Sequence, residues 1–244
     1  MLNPRYTFEN FVVSSHNRSA VAAARAFASA TAKSPMAFFL RAEVGLGKTH
    51  VMNAIGDALY DNHNGVRVGC ASAEYFANDF QRAADGAALP AFRRRYREFD
   101  VLLIDDVDYA GGGARAHEEL RDTCIVLLES SKRIMFTSRR PISEVPALGE
   151  VLLSQGAVGT LASITAPDFG ARIAILCAIA RALKIGLDEW VADCLAGPPT
   201  ANIRRLEGML IGLARHASDA GKSINDLQSE FIREFVRNSL PPSP

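Results

Sequence analysis

The chain has 244 residues, with 27 Lys plus Arg balancing 27 Asp plus Glu, and 48% of it is apolar. At ~150 residues per domain this is roughly 1.6 domains, one large α/β domain or a core with a small satellite; disorder and wholesale electrostatic coating of DNA are excluded. A neutral sum leaves room for local patches, because it can hide a segregated distribution; five of the basic residues are Lys and 22 are Arg, the side chain suited to bidentate contact with phosphate or carboxylate.

An N-terminal segment containing Tyr6, Phe8 and Phe11 precedes an Ala-rich helix predicted over 17–31. Short apolar runs then predict buried strands at 38–40, 66–70, 101–104, 134–137 and 161–164, with helices at 49–60, 74–84 and 116–130 between them. Such alternation predicts a mostly parallel sheet with helices on both faces. At Thr165-Ala166-Pro167-Asp168 the rhythm changes: Asp168 reads as a helix cap, and Ile173, Leu176, Cys177, Ala180 and Leu183 follow at helical spacing. Further helices are predicted over 188–196, 202–220 and 224–238, with Trp190 as an apolar anchor of this part. The reading is a core at 1–165, a helical domain at 166–238 and a frayed, disordered tail at 239–244.

Cys70, Cys124, Cys177 and Cys194 lie far apart, with no CxxC and no His at zinc-ligand spacing, so they read as reduced core thiols. The N-terminus lacks the apolar run of a signal peptide, and no stretch approaches ~20 apolar residues. A cytoplasmic protein with no membrane role is expected.

The densest chemical signal is Val44-Gly45-Leu46-Gly47-Lys48-Thr49, after a predicted strand and before a predicted helix. In that context a P-loop is favoured over a Gly-rich turn with an incidental Lys. Gly45, Leu46 and Gly47 would wrap phosphates with backbone N–H groups, Lys48 would reach the β and γ phosphates, and Thr49 would ligate Mg²⁺. The full pattern wants Gly at 42, where this chain has Ala42. A Mg²⁺ site also needs a carboxylate beside the phosphates, and Val101-Leu102-Leu103-Ile104-Asp105-Asp106 supplies a buried strand ending in acid. Asp105 is the expected Mg²⁺-associated residue and Asp106 the candidate for orienting water; turn or cap acids are the competing reading.

These residues resemble the DnaA family, the bacterial replication initiators, over about residues 2–230. The resemblance rests on Leu2 to Phe11, Val44 to His50, Phe92 to Tyr96 with Asp100 to Asp106, Pro167-Asp168 with Arg172 to Leu176, and Asn202-Ile203-Arg204 with Leu206-Glu207-Gly208. It implies an α/β fold, a P-loop AAA+ αβα core with a five-stranded parallel sheet plus a small helical lid. It also implies bound ATP or ADP with Mg, His50 at the end of the nucleotide motif, and Arg204 as the lid arginine that contacts phosphate. These 244 residues leave no room for the family's duplex-reading or helicase-interaction domains, so either a short paralogue of the Hda kind or a piece of a longer protein is expected.

Two departures bear on activity. Thr137-Ser138-Arg139 occupies the family's sensor I segment, with Arg139 where the family has an acid; a basic group there could still attract phosphate. Gln155 stands where the family has the arginine finger, and Val151 where it has an earlier arginine. A finger is worth ~10³ to 10⁵ in turnover, so slow hydrolysis and no homo-oligomer through the usual finger are expected.

Phe92-Arg93-Arg94-Arg95-Tyr96-Arg97 interleaves basic and aromatic residues. It reads either as a grip on single-stranded DNA, with Arg93 and Arg94 on phosphates, or as a solvated helical face whose Phe92 and Tyr96 are core. The family's strand-contacting Lys and Arg correspond to Gly113 and Arg115, so weak single-stranded DNA binding is the most expected. His50 and His117 also read as helix-surface or packing residues. The leading reading is a nucleotide-responsive regulator of replication initiation that pairs with DnaA or another replisome partner. An AAA+ ATPase loading helicase or remodelling DNA, and a pseudo-ATPase scaffold, are the alternatives.

Overall fold

The computed structural model describes residues 2–29, 36–62, 65–109, 111–145, 148, 159–198 and 202–239. In chain order the elements are α1 (Arg18–Ala28), β1 (Ala37–Ala42), α2 (Lys48–Asn62), β2 (Val68–Ser72), α3 (Ala73–Asp85), α4 (Leu89–Arg97), β3 (Val101–Asp105), α5 (Gly113–Glu129), β4 (Arg133–Ser138), β5 (Thr160–Ile164), α6 (Phe169–Leu183), α7 (Glu189–Ala196), α8 (Ile203–Asp219) and α9 (Ser229–Asn238). Short 3₁₀ turns lie at Ile142–Glu144 and Ile224–Asp226.

The five strands form one sheet in the order β2-β3-β4-β1-β5, with all four neighbouring pairs among the described residues parallel. Burial follows this order. All five residues of β3 are buried, as a strand covered on both faces demands, whereas edge strand β5 alternates, with Leu161 and Ser163 exposed. β4 therefore sits between β1 and β3, which brings the ends of these three strands together.

The chain divides into two compact units, one of Met1–Phe11, Asn17–Glu43 and Gly47–Ile164, the other of Val12–His16, Val44–Leu46 and Thr165–Pro244. The first unit's core joins Phe39, Leu102, Ile104, Ile134 and Phe136 of the sheet to Phe76, Phe80, Phe92 and Tyr96 of α3 and α4 and to Leu120 and Leu127 of α5. Phe92 and Tyr96, one turn apart, pack edge-on against Phe76 with centroids 5.2 and 4.7 Å away. The basic-aromatic run is thus a helix whose aromatics are core.

In the second unit the Asp168 side chain caps α6 by accepting the Ala171 N–H at 2.8 Å, and the Asn202 side chain caps α8 by accepting the Arg204 N–H at 3.0 Å. Leu176, Leu195, Leu206, Leu210, Leu213 and Ile232 fill its core. Two expectations are corrected here. Trp190 is 39% exposed, because Val191 and Leu195 take the inward face of this short helix. The helix predicted over 224–238 is two pieces, because Ser223 and Asp226 close a capping box around a single 3₁₀ turn and Leu227 and Gln228 are extended before α9.

All four cysteines are free; Cys124 is fully buried, and burial pushes its thiol well above the ordinary range. Among the described residues no helix is long and apolar enough to cross a membrane. Gln155, Val151 and residues 240–244 lie outside the described residues.

Candidate nucleotide site

β1 ends at Ala42 and the chain turns through the glycine loop into α2, which begins at Lys48. Gly47 has φ +93°, in the region that favours glycine, and a Cβ there would lie 2.9 Å from the Phe11 ring. Its carbonyl accepts the Val51 N–H at 3.0 Å and so opens the helix. Lys48 is 6% exposed, a costly place for a cation without partners. Its ammonium donates to the Ala42 carbonyl at 2.9 Å and the Glu43 carbonyl at 3.3 Å, and lies 3.8 Å from Asp106 Oδ1.

The two acids are held differently. Thr49 Oγ1 donates to Asp105 Oδ2 at 2.7 Å, and the Thr137 hydroxyl donates to Asp105 Oδ1. The same Thr137 oxygen accepts the Asp106 N–H at 2.9 Å, so one fully buried hydroxyl on β4 ties down both acids. Asp106 leaves the strand with φ +51°, a left-handed conformation that Asp tolerates better than most residues, and its side chain is 58% exposed. Desolvation and then the Asp105 charge raise its carboxyl above the usual range, against the pull of Lys48. A carboxylate free to face solvent beside one fully engaged with neighbours is the division of labour expected of a water-orienting and an ion-binding acid.

Sequence reasoning did not single out Asp108. It accepts the Arg139 backbone N–H at 3.1 Å and Arg139 Nε at 2.8 Å. Burial opposes its ionisation, but these bonds outweigh burial and hold its carboxyl below the usual range. The guanidinium expected to be available to phosphate is therefore engaged along one edge.

His50 is built into the N-terminal segment. Its Nε2 lies 2.9 Å from the Thr7 carbonyl, its ring stacks on Tyr6 at 4.8 Å, and Phe11 meets it edge-on at 4.9 Å. Burial lowers its pKa. Leu2 fills the space over Gly56, and the Asn3 N–H donates to Asn53 Oδ1 at 2.7 Å. Residues 2–11 are thereby fastened along α2, which their aromatic content alone did not specify.

In the second unit, the Gly45 carbonyl accepts the Ile203 N–H at 2.9 Å, and a Cβ on Gly45 (φ +80°) would run into the Asn202 carboxamide. Leu46 is buried, and Arg204, second residue of α8, is exposed.

The basic cluster is largely paired. Arg93 makes a bidentate pair with Glu119, its Nη2 2.7 Å from Oε2, and Arg97 Nη2 reaches Glu119 Oε1 at 2.8 Å. Arg95 pairs with Asp79 at 3.1 Å. Arg94 is exposed on α4, and Arg115 is exposed in the first turn of α5. His117 Nε2 lies 3.3 Å from the Tyr109 carbonyl.

Among the described residues no group of three or more His, Cys, Asp or Glu could hold a metal ion by itself. Thr49 Oγ1 with the Asp105 carboxylate is instead a small hard-oxygen set. It fits an ion such as Mg²⁺ that keeps waters and takes its remaining ligands from a substrate's phosphates.

A parallel sheet with a glycine loop and lysine after one strand, two acids after another and a bridging threonine on the strand between them defines a P-loop ATPase fold of the AAA+ class. The profile described as Bacterial DnaA ATPase domain matches residues 2–163, and the chain belongs to the DnaA family. Domain III of the Thermotoga maritima replication initiation protein DnaA is 31% identical, with a TM-score of 0.90 over 99% of this chain and 100% of that one. DnaA from Aquifex aeolicus, solved with AMPPCP, is 30% identical over 88% of this chain and 66% of that one, with a TM-score of 0.76. A replication initiator DnaA solved with AMPPCP and single-stranded DNA is 29% identical over 90% of this chain and 70% of that one, also at 0.76.

Proposed function

We propose that this chain binds an adenine nucleotide, ATP or ADP, together with Mg²⁺, and that its nucleotide state regulates initiation of chromosome replication through contact with DnaA or another replisome protein. The arrangement of Lys48, Thr49, Asp105, Asp106 and Thr137 at the ends of β1, β3 and β4 carries the nucleotide part of this reading. AMPPCP in two solved relatives supports it. Gly45 to Thr49 wrap the phosphates, Lys48 contacts the β and γ groups, and Thr49 and Asp105 hold Mg²⁺, whose charge offsets that of the phosphates. Asp106 orients water. The helical domain at 166–238 acts as a lid, with Arg204 as its phosphate contact.

Turnover is slow, since Gln155 cannot supply the positive charge of a finger. This departure weighs against a helicase loader or DNA remodeller; with Ala42 and Arg139 it would suit a pseudo-ATPase scaffold, which the intact Lys48, Thr49, Asp105, Asp106 and Arg204 oppose. The single-stranded DNA held by one relative supports, at most, weak contact here through the exposed Arg94 and Arg115, because Arg93 is held by Glu119.

Calorimetry with MgATP and MgADP tests the nucleotide part: binding to the wild-type chain, and its loss in Lys48→Ala, is the expected result. Binding in neither, or in both alike, refutes it. ATP turnover and origin assembly by DnaA, with and without this chain, test the regulatory part; an unchanged result in both refutes it.

A further inference from the structure

We propose that residues 2–11 form a strap that sets the backbone of the glycine loop, with Asn53 and Phe11 as positioning residues, so that nucleotide affinity depends on the strap lying across α2. The inference rests on the nucleotide reading above and adds to it a segment that lies outside the loop.

The contacts fall in one row. Phe11 lies against Gly47, Tyr6, Thr7 and Phe11 hold His50, Asn3 bonds to Asn53, and Leu2 fills the space over Gly56. Positions 47, 50, 53 and 56 are three residues apart, the spacing of the ridge that winds obliquely around a helix. The strap therefore crosses α2 in the opposite chain direction, from Leu2 near the helix middle to Phe11 at the loop. Its own turns fix its register: the Tyr6 N–H donates to the Asn3 carbonyl at 3.0 Å, and Asn10 donates to the Thr7 hydroxyl and the Arg5 carbonyl, both at 3.3 Å. On its other side Phe8 is buried, and the Arg25 guanidinium of α1 covers the ring at 4.6 Å and donates to the Phe8 carbonyl at 3.3 Å.

Two of these contacts reach the nucleotide motif. The first is a line of hydrogen bonds. The Asn3 N–H donates to Asn53 Oδ1, Asn53 Nδ2 donates to the Thr49 carbonyl, and Thr49 Oγ1 donates to Asp105 Oδ2, each at 2.7 Å. Asn53 is 5% exposed, so lifting Asn3 leaves a buried acceptor without that bond. The second is steric. Gly47 has φ +93°, and the Phe11 ring fills the space where a side chain would stand, so packing takes up the freedom that glycine brings to this turn. Lys48 lies between these two fixed points. The strap thus acts on the backbone at 47–49, and a nucleotide acts on the same residues through their N–H groups and side chains. Such coupling is reciprocal: nucleotide tightens the strap by the factor by which the strap tightens nucleotide.

The test is calorimetry on the full chain with MgADP for wild type, Phe11→Ala, Phe11→Leu, Asn53→Ala, Lys48→Ala and a control, Tyr60→Ala, at an exposed position of α2, each shown folded by its thermal melt. Asn53→Ala is expected to weaken binding about three- to tenfold, the worth of one hydrogen bond, and Phe11→Ala about tenfold, with Phe11→Leu recovering part of it. Tyr60→Ala stays within about twofold of wild type. The second readout is amide exchange in wild type: the Asn3, Tyr6 and Asn10 N–H groups should exchange about tenfold more slowly with saturating MgADP. Unchanged affinity in Phe11→Ala and Asn53→Ala, equal weakening in Tyr60→Ala, or strap exchange indifferent to nucleotide means that the segment contributes only to stability, and overturns the inference. Lys48→Ala loses MgADP if the underlying reading holds; if wild type does not bind it, that reading and this inference fall together.

Discussion

Thr137 is the most informative single position in the site, because its hydroxyl serves both acids at once and is fully buried. Thr137→Val keeps the shape and removes the oxygen. The bond to the Asp105 carboxylate is charge-assisted and worth about 1.5–3 kcal/mol, and the bond from the Asp106 peptide adds about 0.5–1.5 kcal/mol. The buried methyl of valine returns part of this, so the expected loss is about 2–3 kcal/mol. Thr137→Ser does the opposite: it keeps the hydroxyl and deletes one methyl, at about 1 kcal/mol. Urea unfolding at neutral pH with an unchanged slope measures both. Valine should be the more damaging change, and nucleotide affinity should fall with it because Asp106 loses the bond that fixes its left-handed backbone. If serine is worse than valine, Thr137 is a packing residue and the bridging role is refuted.

Three further outcomes follow from the same geometry. Glu119→Gln keeps the buried side chain's volume but removes the charge that holds Arg93 and Arg97; with Arg93 46% exposed and solvent-screened, the cost is about 1–2 kcal/mol, read as a fall in Tm of about 2–8 °C. If the freed arginines suit phosphates, single-stranded DNA binding rises in the same variant, measured by fluorescence anisotropy at low salt. His50 has a depressed pKa in the fold, so the unfolded chain takes up its proton first as pH falls. Its contribution is intact above the unfolded value of about 6.5 and is lost below it; His50→Gln should flatten the decline in unfolding free energy between about pH 7 and 5. Gly47→Ala combines a positive φ with a contact on Phe11, and should abolish nucleotide binding in calorimetry while costing about 1–2 kcal/mol in urea unfolding.

The sequence by itself marked the central strands, because a short apolar run such as 101–104, bounded by Asp100 and Asp105, suits a parallel strand covered on both faces and is too short for a helix. The candidate site was legible as well, since Gly45 to Thr49 and Asp105-Asp106 are contiguous motifs of the residue types that suit phosphate and Mg²⁺. Asp168 was equally legible as a helix cap, being a small polar residue just ahead of a helical pattern; Asn202, read from the sequence as the first residue of a helix, is the cap before it. What lay beyond the sequence is whatever depends on strand order. Nothing in residues 101–108 marks Asp108 as a partner for Arg139, 31 positions on, or Thr137 as the bridge between Asp105 and Asp106. The insertion of β4 between β1 and β3 makes them neighbours. The arginines of α4 show the same limit: their number was visible, but only the packing of α3, α4 and α5 brings Asp79 and Glu119 against them. Charge in a sequence is a list, and the fold decides how much of it is spent inside the molecule.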